Sequence, residues 1–527
     1  MRHKHLIIIL FVFIAASFIT LPRNPLLNDD AALYALCAKN AVIHNQWLAQ
    51  FVTPGDRESF LDKPPLGIWM LAAVPAIAGV NELTVHIPNL IYYALILGLL
   101  YAGLLRFANR RVALYSTLIA ATSLALVVYA RTPKLDVPLT LFVLAAHLCL
   151  YAFLKSEKPG YLYAFSVMLA LGTLVKSGFG IIVPGLTALA IFALNAPSRK
   201  KMVKFILSGH SILCALLFMA IVGTTLGLQS IALEDQWVPH LKSMTIQSKY
   251  NISYLGLGLN YSIIGFLLIT IFPWSPLALT ALRPRLFGKM TITEFFSYWF
   301  WANFLFLFFF YRQTDFRTFT VLAPPLAVLA GAKLAALPLW QKRRRTALVL
   351  WGLFFFLVFS SILVAWTINP VNPDGFDVSA ALLPIFLFVL SLALIIAHLW
   401  KPAPFKFSAS FVLVCMSYAV LFYNTKPIAD AFNEDLTWPQ LIREHQARGY
   451  EFYIYRPRDR KLFMSPDLFY VDFMAGPADR YFWDGAELAP SLYRRQAIVL
   501  TDTESWNKLK IGGKVIASDS YSRLILR

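Results

Sequence analysis

Thirteen apolar segments of about 20 residues recur along this chain, near 5–22, 84–105, 112–130, 136–154, 161–175, 178–195, 205–228, 260–282, 293–311, 318–338, 346–367, 379–399 and 408–424. A stretch of that length and composition matches the hydrocarbon core of a bilayer, and a chain built from so many of them folds as an α-helical bundle in lipid. Composition agrees: 58% of the 527 residues are hydrophobic and 14% charged, which excludes an ordinary soluble domain. The first segment follows basic residues as a signal peptide does, but it lacks a small-residue cleavage site, and the sequence predicts an uncleaved first span.

Charge placement orients the bundle. With the amino terminus inside, the loops falling inside are the amino-terminal tip, 106–111, 155–160, 198–204, 283–289, 341–345 and 400–406. They hold 20 Lys/Arg, with Glu157 and Glu294 the acids in or beside them. The opposite loops before residue 430 hold 12 basic and 12 acidic residues. This asymmetry follows the positive-inside rule and predicts a carboxyl terminus outside. From residue 430 onward 14 basic residues balance 14 acidic ones, so the net charge of +19 belongs to the membrane region and implies no nucleic-acid partner.

Two domains are expected: a multi-span domain over 1–426, with a first outer loop at 22–83, and a small outside α/β domain over 427–527. In the second, a helix-like stretch at 438–448 precedes strand-like runs at 451–455, 468–473, 497–500 and 514–517. Four scattered cysteines (Cys37, Cys149, Cys214, Cys415) form neither a disulfide framework nor a thiolate metal cluster, and no metal site is expected.

Polar residues accumulate in the first outer loop. Asp29 and Asp30 stand ahead of a stretch, 31–45, that reads as an amphipathic interfacial helix; two acids there serve either as cap and dipole partner or as chemistry. The loop closes on Asp62-Lys63-Pro64-Pro65, followed by an apolar run, 66–80, too short for a full span and suited to a re-entrant or interfacial helix. Asp62 and Lys63 form either a surface ion pair or a contact for a lipid phosphate.

The ordered set Asp29-Asp30-x-x-Leu33-Tyr34-Ala35, Trp47, Thr53-Pro54 and Asp62-Lys63-Pro64-Pro65 resembles the protein mannosyltransferase and lipid A aminoarabinose transferase superfamily of membrane-embedded C-type glycosyltransferases. Downstream, 131–136 resembles the family's second outer loop and 174–178 its Leu-x-Lys-Gly turn, while thirteen spans with an outside tail resemble the aminoarabinose branch in particular. The chain departs from the family where Asp62 replaces Glu and where 311–317 replaces a Ser-Lys-x-x-x-Tyr segment.

The resemblance implies a bacterial inner-membrane enzyme with its active site on the periplasmic face. It would move a sugar from a polyprenyl (undecaprenyl) phosphate donor, with inversion, to lipid A, another glycolipid or a protein. The lipid-linked sugar is a substrate and no cofactor is required. Such chemistry needs a base for the acceptor hydroxyl and cations for the departing phosphate. Alignment on Leu33-Tyr34 makes Asp30 the counterpart of the catalytic acid, with Asp29 its neighbour or substitute. Lys63 leads the phosphate candidates, with Asp62, Arg131, Lys176, Lys249 and Arg317 beside it; Asp136, His240 and Tyr34 are acceptor or lid candidates. Arg131 also reads as an interfacial anchor, Asp136 as a helix cap and Lys176 as a snorkelling residue. A lipid-linked sugar flippase is the competing class. It should show repeated halves and polar groups at mid-membrane, whereas here the polar residues gather towards the outer surface.

Overall fold

The computed structural model describes residues 30–52, 63–244, 258–272, 274–282, 290–311, 316–336, 438–455, 478–482, 485–518 and 522–527, with six single residues besides. Its helices in chain order are α1 (Asp30–Ile43), α2 (Pro65–Ala72), α3 (Pro75–Ala78), α4 (Glu82–Phe107), α5 (Arg110–Ala121), α6 (Leu124–Ala130), α7 (Asp136–Ser156), α8 (Gly160–Lys176) and α9 (Phe179–Leu194). There follow α10 (Ala196–Ile206), α11 (Gly209–Leu233), α12 (Trp237–Met244), α13 (Ser262–Thr270), α14 (Ser275–Ala281), α15 (Ile292–Phe310), a 3-10 helix (Phe316–Leu322) and α16 (Ala323–Ala336).

Local chemistry sets many of the boundaries. Asn81 and Thr84 form a reciprocal capping box at the start of α4, and Thr291 with Glu294 does the same for α15. Asn109 and Asn195 cap α5 and α10 through their side-chain oxygens. Pro65 stands at the first position of α2, where its missing N–H is no loss, and Gly79 ends α3 at φ 84°.

Among the described residues five helices are long and apolar enough to cross a membrane, or seven if each bent pair is one span. The expected span at 112–130 is the pair α5 and α6, bent by 57°. The one at 178–195 is α9, from which α10 departs at 116°. The span expected at 260–282 is two short helices, α13 and α14, because Pro276 sits at the second start. The expected spans at 346–367, 379–399 and 408–424, and nearly all of 5–22, lie outside the described residues, so the structure gives no total of thirteen.

Glycine governs the closest crossings. A Cβ added at Gly180 of α9 would stand 2.2 Å from the backbone of Gly172 and Thr173 in α8, so only glycine permits this hairpin. Gly331 of α16 approaches the backbone of Ser116 in α5 in the same way.

The carboxyl-terminal part carries a five-stranded sheet in the order β2-β1-β3-β5-β4, made of β1 (Glu451–Tyr455), β2 (Arg480–Phe482), β3 (Ala497–Asp502), β4 (Lys514–Ser518) and β5 (Ser522–Leu526). β2, β1 and β3 are parallel, and β5 runs antiparallel to β3 and β4. Helices α17 (Trp438–Gln446), α18 (Gly485–Arg494) and α19 (Thr503–Leu509) complete it. The expected strands at 451–455, 497–500 and 514–517 are present, while β2 and β5 were not foreseen; the stretch 468–473 falls almost wholly outside the described residues. Ile498, Leu500 and Leu524 join Trp438, Ile442 and Phe452 in one apolar cluster that also takes in Ala32 and Ala35 of α1 and Val85 of α4. The sheet domain therefore rests on the end of the membrane domain that begins with Asp30.

That contact corrects the expectation for α1. It is not an amphipathic helix with a free polar face: ten of its fourteen residues, including Lys39 and Asn40, are buried. The physical reason is its alanine content. Ala31, Ala32, Ala35, Ala38 and Ala41 leave room for neighbours on several sides, so α2 and the sheet domain both close on it.

Candidate active site

Several elements are linked around α1: α1 packs on α2 and α3, α2 on α8, and the 3-10 helix on α6 and α7, while Asp30 of α1 is joined to Arg317 of the 3-10 helix. Gly67 makes the approach of α2 possible, since a Cβ there would lie 2.9 Å from Leu135 and 3.0 Å from the Val175 carbonyl. The Lys63-Pro64-Pro65 entry is thereby held near both the 131–135 loop and Lys176. Its other side is tied by Gln50, whose amide donates to the Pro65 carbonyl at 3.2 Å, and by Asn40, which donates to the carbonyls of Phe51 and Val52 at 3.1 and 2.9 Å. Trp69 donates to Trp47 O at 2.5 Å.

Two ion pairs organise the site. Asp30, at the first position of α1, pairs with Arg317 and accepts a long hydrogen bond of 3.4 Å from the Tyr34 hydroxyl one turn on. The Asp30 side chain is 33% exposed and that of Arg317 18%, so water and a small polar group reach the carboxylate. The second pair is Lys176–Asp136 at 2.6 Å, with side chains 15% and 3% exposed. Asp136 is thus not a helix cap: α7 begins without a side-chain cap, and the carboxylate spends one oxygen on Lys176 while the other, buried, has no hydrogen-bond partner. Lys176 does not snorkel towards an interface; it reaches across to α7 and also lies 5.8 Å from the Phe179 ring centroid.

Arg131 is 1% exposed. Burial pulls its guanidinium down to about 10, which leaves it a cation at neutral pH. Its loop is stapled to α4 by two residues not singled out in the sequence. His86 Nδ1 donates to the Arg131 carbonyl at 2.6 Å, and the Asn89 amide donates to the carbonyls of Thr132 and Lys134 at 2.5 and 2.7 Å. The signal for them was a polar pair three residues apart in an otherwise apolar helix, which places both on one face.

His240 is buried in α12, 6.1 Å from the Trp237 ring, and the expected long outer loop after 229 begins as helix rather than coil. Gln229 at the end of α11 donates to Leu48 O at 3.2 Å and ties that region to the α1–α2 connection. Asp29, Asp62 and Lys249 lie outside the described residues. Among the described residues no group of three or more His, Cys, Asp or Glu is placed to hold a metal ion.

The sequence predicts that polar residues gather towards the outer surface; the structure also has a polar group mid-bundle. His147 of α7 donates from Nδ1 to Val143 O at 2.7 Å and accepts at Nε2 from Thr187 of α9 at 2.9 Å. Asn303 of α15 donates to Thr187 Oγ1, Val183 O and Trp299 O at 3.2, 3.1 and 2.9 Å, and His147 stacks on Trp299 at 3.7 Å.

The described cations on these element ends are Lys63, Arg131, Lys134, Lys176 and Arg317, with Arg317 paired to Asp30 and Lys176 to Asp136. Cations on the same elements as an accessible carboxylate suit an anionic substrate and a proton acceptor together. Residues 62–223 match the family described as dolichyl-phosphate-mannose-protein mannosyltransferase. An uncharacterised protein of Aquifex aeolicus (strain VF5) is 25% identical over 210 residues, 38% of this chain; the match spans 40% of that relative. Among solved structures, ArnT from Cupriavidus metallidurans bound to undecaprenyl phosphate is similar with a TM-score of 0.77 at 15% identity, covering 100% of this chain and 98% of that one. The apo state of the same protein gives 0.74 at 15% identity, over 99% and 97%. At that identity the likeness is one of fold, and it includes the carboxyl-terminal sheet domain.

Proposed function

From its membership of the protein mannosyltransferase and lipid A aminoarabinose transferase superfamily, we propose that this chain is an inverting glycosyltransferase. It takes its sugar from a polyprenyl phosphate and transfers it on the periplasmic face of a bacterial inner membrane. The observation that carries the reading is the Asp30–Arg317 pair, an accessible carboxylate and a guanidinium side by side, with Lys63, Lys176 and Arg131 on neighbouring element ends. Similarity in fold to a protein crystallised with undecaprenyl phosphate supports a lipid-phosphate donor.

In the proposed step the acceptor oxygen attacks the anomeric carbon as the bond from that carbon to the phosphate oxygen breaks, and its proton passes to the Asp30 carboxylate. The polyprenyl phosphate leaves with the bonding electrons, and cations stabilise that charge. Arg317 has a natural part in the sequence of events. A guanidinium holds two oxygen partners in one plane, so an arriving phosphate draws Arg317 from Asp30 and frees the carboxylate for the acceptor hydroxyl. Lys63 is the proposed second phosphate contact. Lys176, already spent on Asp136, positions the α7–α8 wall, and Arg131 adds fixed positive charge behind it. Asp29 and Asp62 remain neighbours of these groups in sequence, and Lys249 a third cation for the donor. His240 and Tyr34 border the acceptor side.

A glycolipid such as lipid A is the favoured acceptor, because the fold likeness to the aminoarabinose transferase runs over the entire chain; a protein acceptor is the alternative within the family. The test is transfer in liposomes from defined polyprenyl-phosphate sugars to purified lipid A and to an envelope protein fraction, with Asp30→Asn and Lys63→Ala in parallel. Release of polyprenyl phosphate with labelled lipid A, lost in both folded variants, supports the reading. Movement of carrier lipid across the bilayer without sugar transfer sinks it in favour of a flippase.

A further inference from the structure

At the far end of α7 and α8 from Asp136 and Lys176 lies an apolar cavity of about 390 Å³. Phe153 is 17 residues beyond Asp136 on α7, about 26 Å along a helix of 1.5 Å rise, so the cavity sits at the opposite membrane surface from the candidate site. It is lined by residues 162–169 of α8, 214–219 of α11 and by α10, including Phe165, Met202, Phe205, Ala215 and Met219. Ala215 and Met219 are exposed, Met219 by 62%, so the cavity opens sideways from the bundle.

Over this cavity runs α10, which leaves α9 at 116° and so lies across the axis of the bundle. Its apolar residues Met202 and Phe205 turn into the cavity while Arg199, Lys200 and Lys204 are exposed. The fourth cation of the helix, Lys201, is spent on the bundle itself. It donates to Leu154 O at 2.7 Å and pairs with Glu157 at 3.2 Å, clamping α10 over the end of α7. Three cations are thereby left exposed on the same helix that lines the cavity, with no carboxylate partner among the described residues. An apolar slot roofed by an amphipathic helix with a basic outer face has the two halves of a lipid site, one for a chain and one for an anionic head group.

We infer that this cavity holds an acyl chain of an anionic phospholipid of the leaflet opposite the active site, its head group bound by Arg199, Lys200 and Lys204. The inference rests on the membrane orientation given by the basic loops and is independent of the glycosyl-transfer reading. Charge complementarity selects the occupant: a zwitterionic lipid offers the same chain but no net charge to three unpaired cations.

Native mass spectrometry of the full chain, delipidated in detergent and titrated with phosphatidylglycerol or phosphatidylcholine, tests it. The expected result is retention of one phosphatidylglycerol with a preference of about tenfold over phosphatidylcholine. Replacing Arg199, Lys200 and Lys204 together by Gln should bring that preference to near one. Ala215→Trp, which fills the slot and leaves the cations in place, should abolish retention of both lipids. Circular dichroism of each variant reports folding, and since the three cations are exposed their removal leaves the packing intact. Equal binding of the two lipids by wild type, or an unchanged preference in the triple variant, overturns the proposal. So does a polyprenyl phosphate whose own retention is lost in Ala215→Trp, since the cavity would then belong to the donor.

Discussion

Two polar assemblies sit on the same helices and are built to opposite designs. At one end of α7, α8 and the 3-10 helix are charged pairs, Asp30–Arg317 and Lys176–Asp136. Eleven residues further along α7, His147 joins Thr187, Asn303 and Trp299 in an assembly with no formal charge, in which most groups find a partner within the bundle. Neutral groups in lipid need only be satisfied, and once satisfied they hold three helices in register. Charges in the same place are costly and are kept where they do chemistry or bind charge. Under the proposed function the difference separates a site from a staple: the Asp30–Arg317 pair is accessible and can exchange partners, while the His147, Thr187 and Asn303 side chains are buried.

The largest effect should come from breaking the accessible pair at its acid. Asp30→Asn keeps size and a hydrogen-bond acceptor for Arg317 but removes the base, so initial rates of sugar transfer should fall by about a thousandfold with the thermal unfolding midpoint little changed. An active Asp30→Asn enzyme would move the base elsewhere, with Asp29 the first place to look. Lys176→Met should show the opposite balance. It strands Asp136, 3% exposed, without its cation, and costs about 3 kcal/mol of stability, seen as a lower melting temperature in detergent, before any loss of rate is counted. If the variant melts like wild type and only activity falls, Lys176 is a phosphate contact instead of a positioning residue.

How much of this contrast was legible in the sequence depends on the range of each interaction. Apolar runs, capping residues and charge asymmetry are local, and the described membrane region is helical where they place helices, although the spans expected at 112–130 and 260–282 are each broken into two helices. The loops carrying Lys63, Arg131 and Lys176 were legible for the same reason, as polar residues between apolar spans. The Asp30–Arg317 pair joins residues 287 apart, and no local pattern encodes that partnership. Likewise Asp136 looked like a cap because caps are local, whereas its partner lies 40 residues away. His86, Asn89, His147 and Asn303 were passed over because one polar residue in an apolar helix reads the same whether it staples a neighbour or lines a site. The stretch 31–45 reads as amphipathic because polar residues are interspersed in it, but its alanines decide the packing; small side chains say more about how closely neighbours approach than about which side meets lipid.

Asn303→Leu sharpens the comparison from the neutral side. It removes the Asn303 amide, whose two N–H groups are shared among Thr187, Val183 and Trp299, and leaves the Thr187 hydroxyl and the His147 ring in contact with each other. Hydrogen bonds between membrane helices are worth about 1 kcal/mol, so a modest drop in melting temperature is expected with kcat and KM for the sugar donor unchanged. A tenfold loss of kcat in a fully folded Asn303→Leu would mean that the mid-bundle assembly communicates with the site, and the division between site and staple would fail.

The smallest effect belongs to Tyr34→Phe, where the two designs meet in one residue. Tyr34 is 2% exposed, packed like a core aromatic, yet its hydroxyl points at Asp30. At 3.4 Å that hydrogen bond is near the long limit, and Arg317 already neutralises the carboxylate, so the hydroxyl contributes little to placing it. Phenylalanine keeps the ring and its packing, and transfer rates should fall less than threefold with no change in stability. The outcome bears on the proposed exchange of Arg317 from Asp30 to phosphate. If Arg317 leaves during turnover, the Tyr34 hydroxyl is a donor still facing the carboxylate, and its removal should matter more at saturating donor, where Arg317 is held by phosphate, than at low donor. A rate ratio that grows with donor concentration supports the exchange; a ratio flat across the titration means that Arg317 stays on Asp30 throughout.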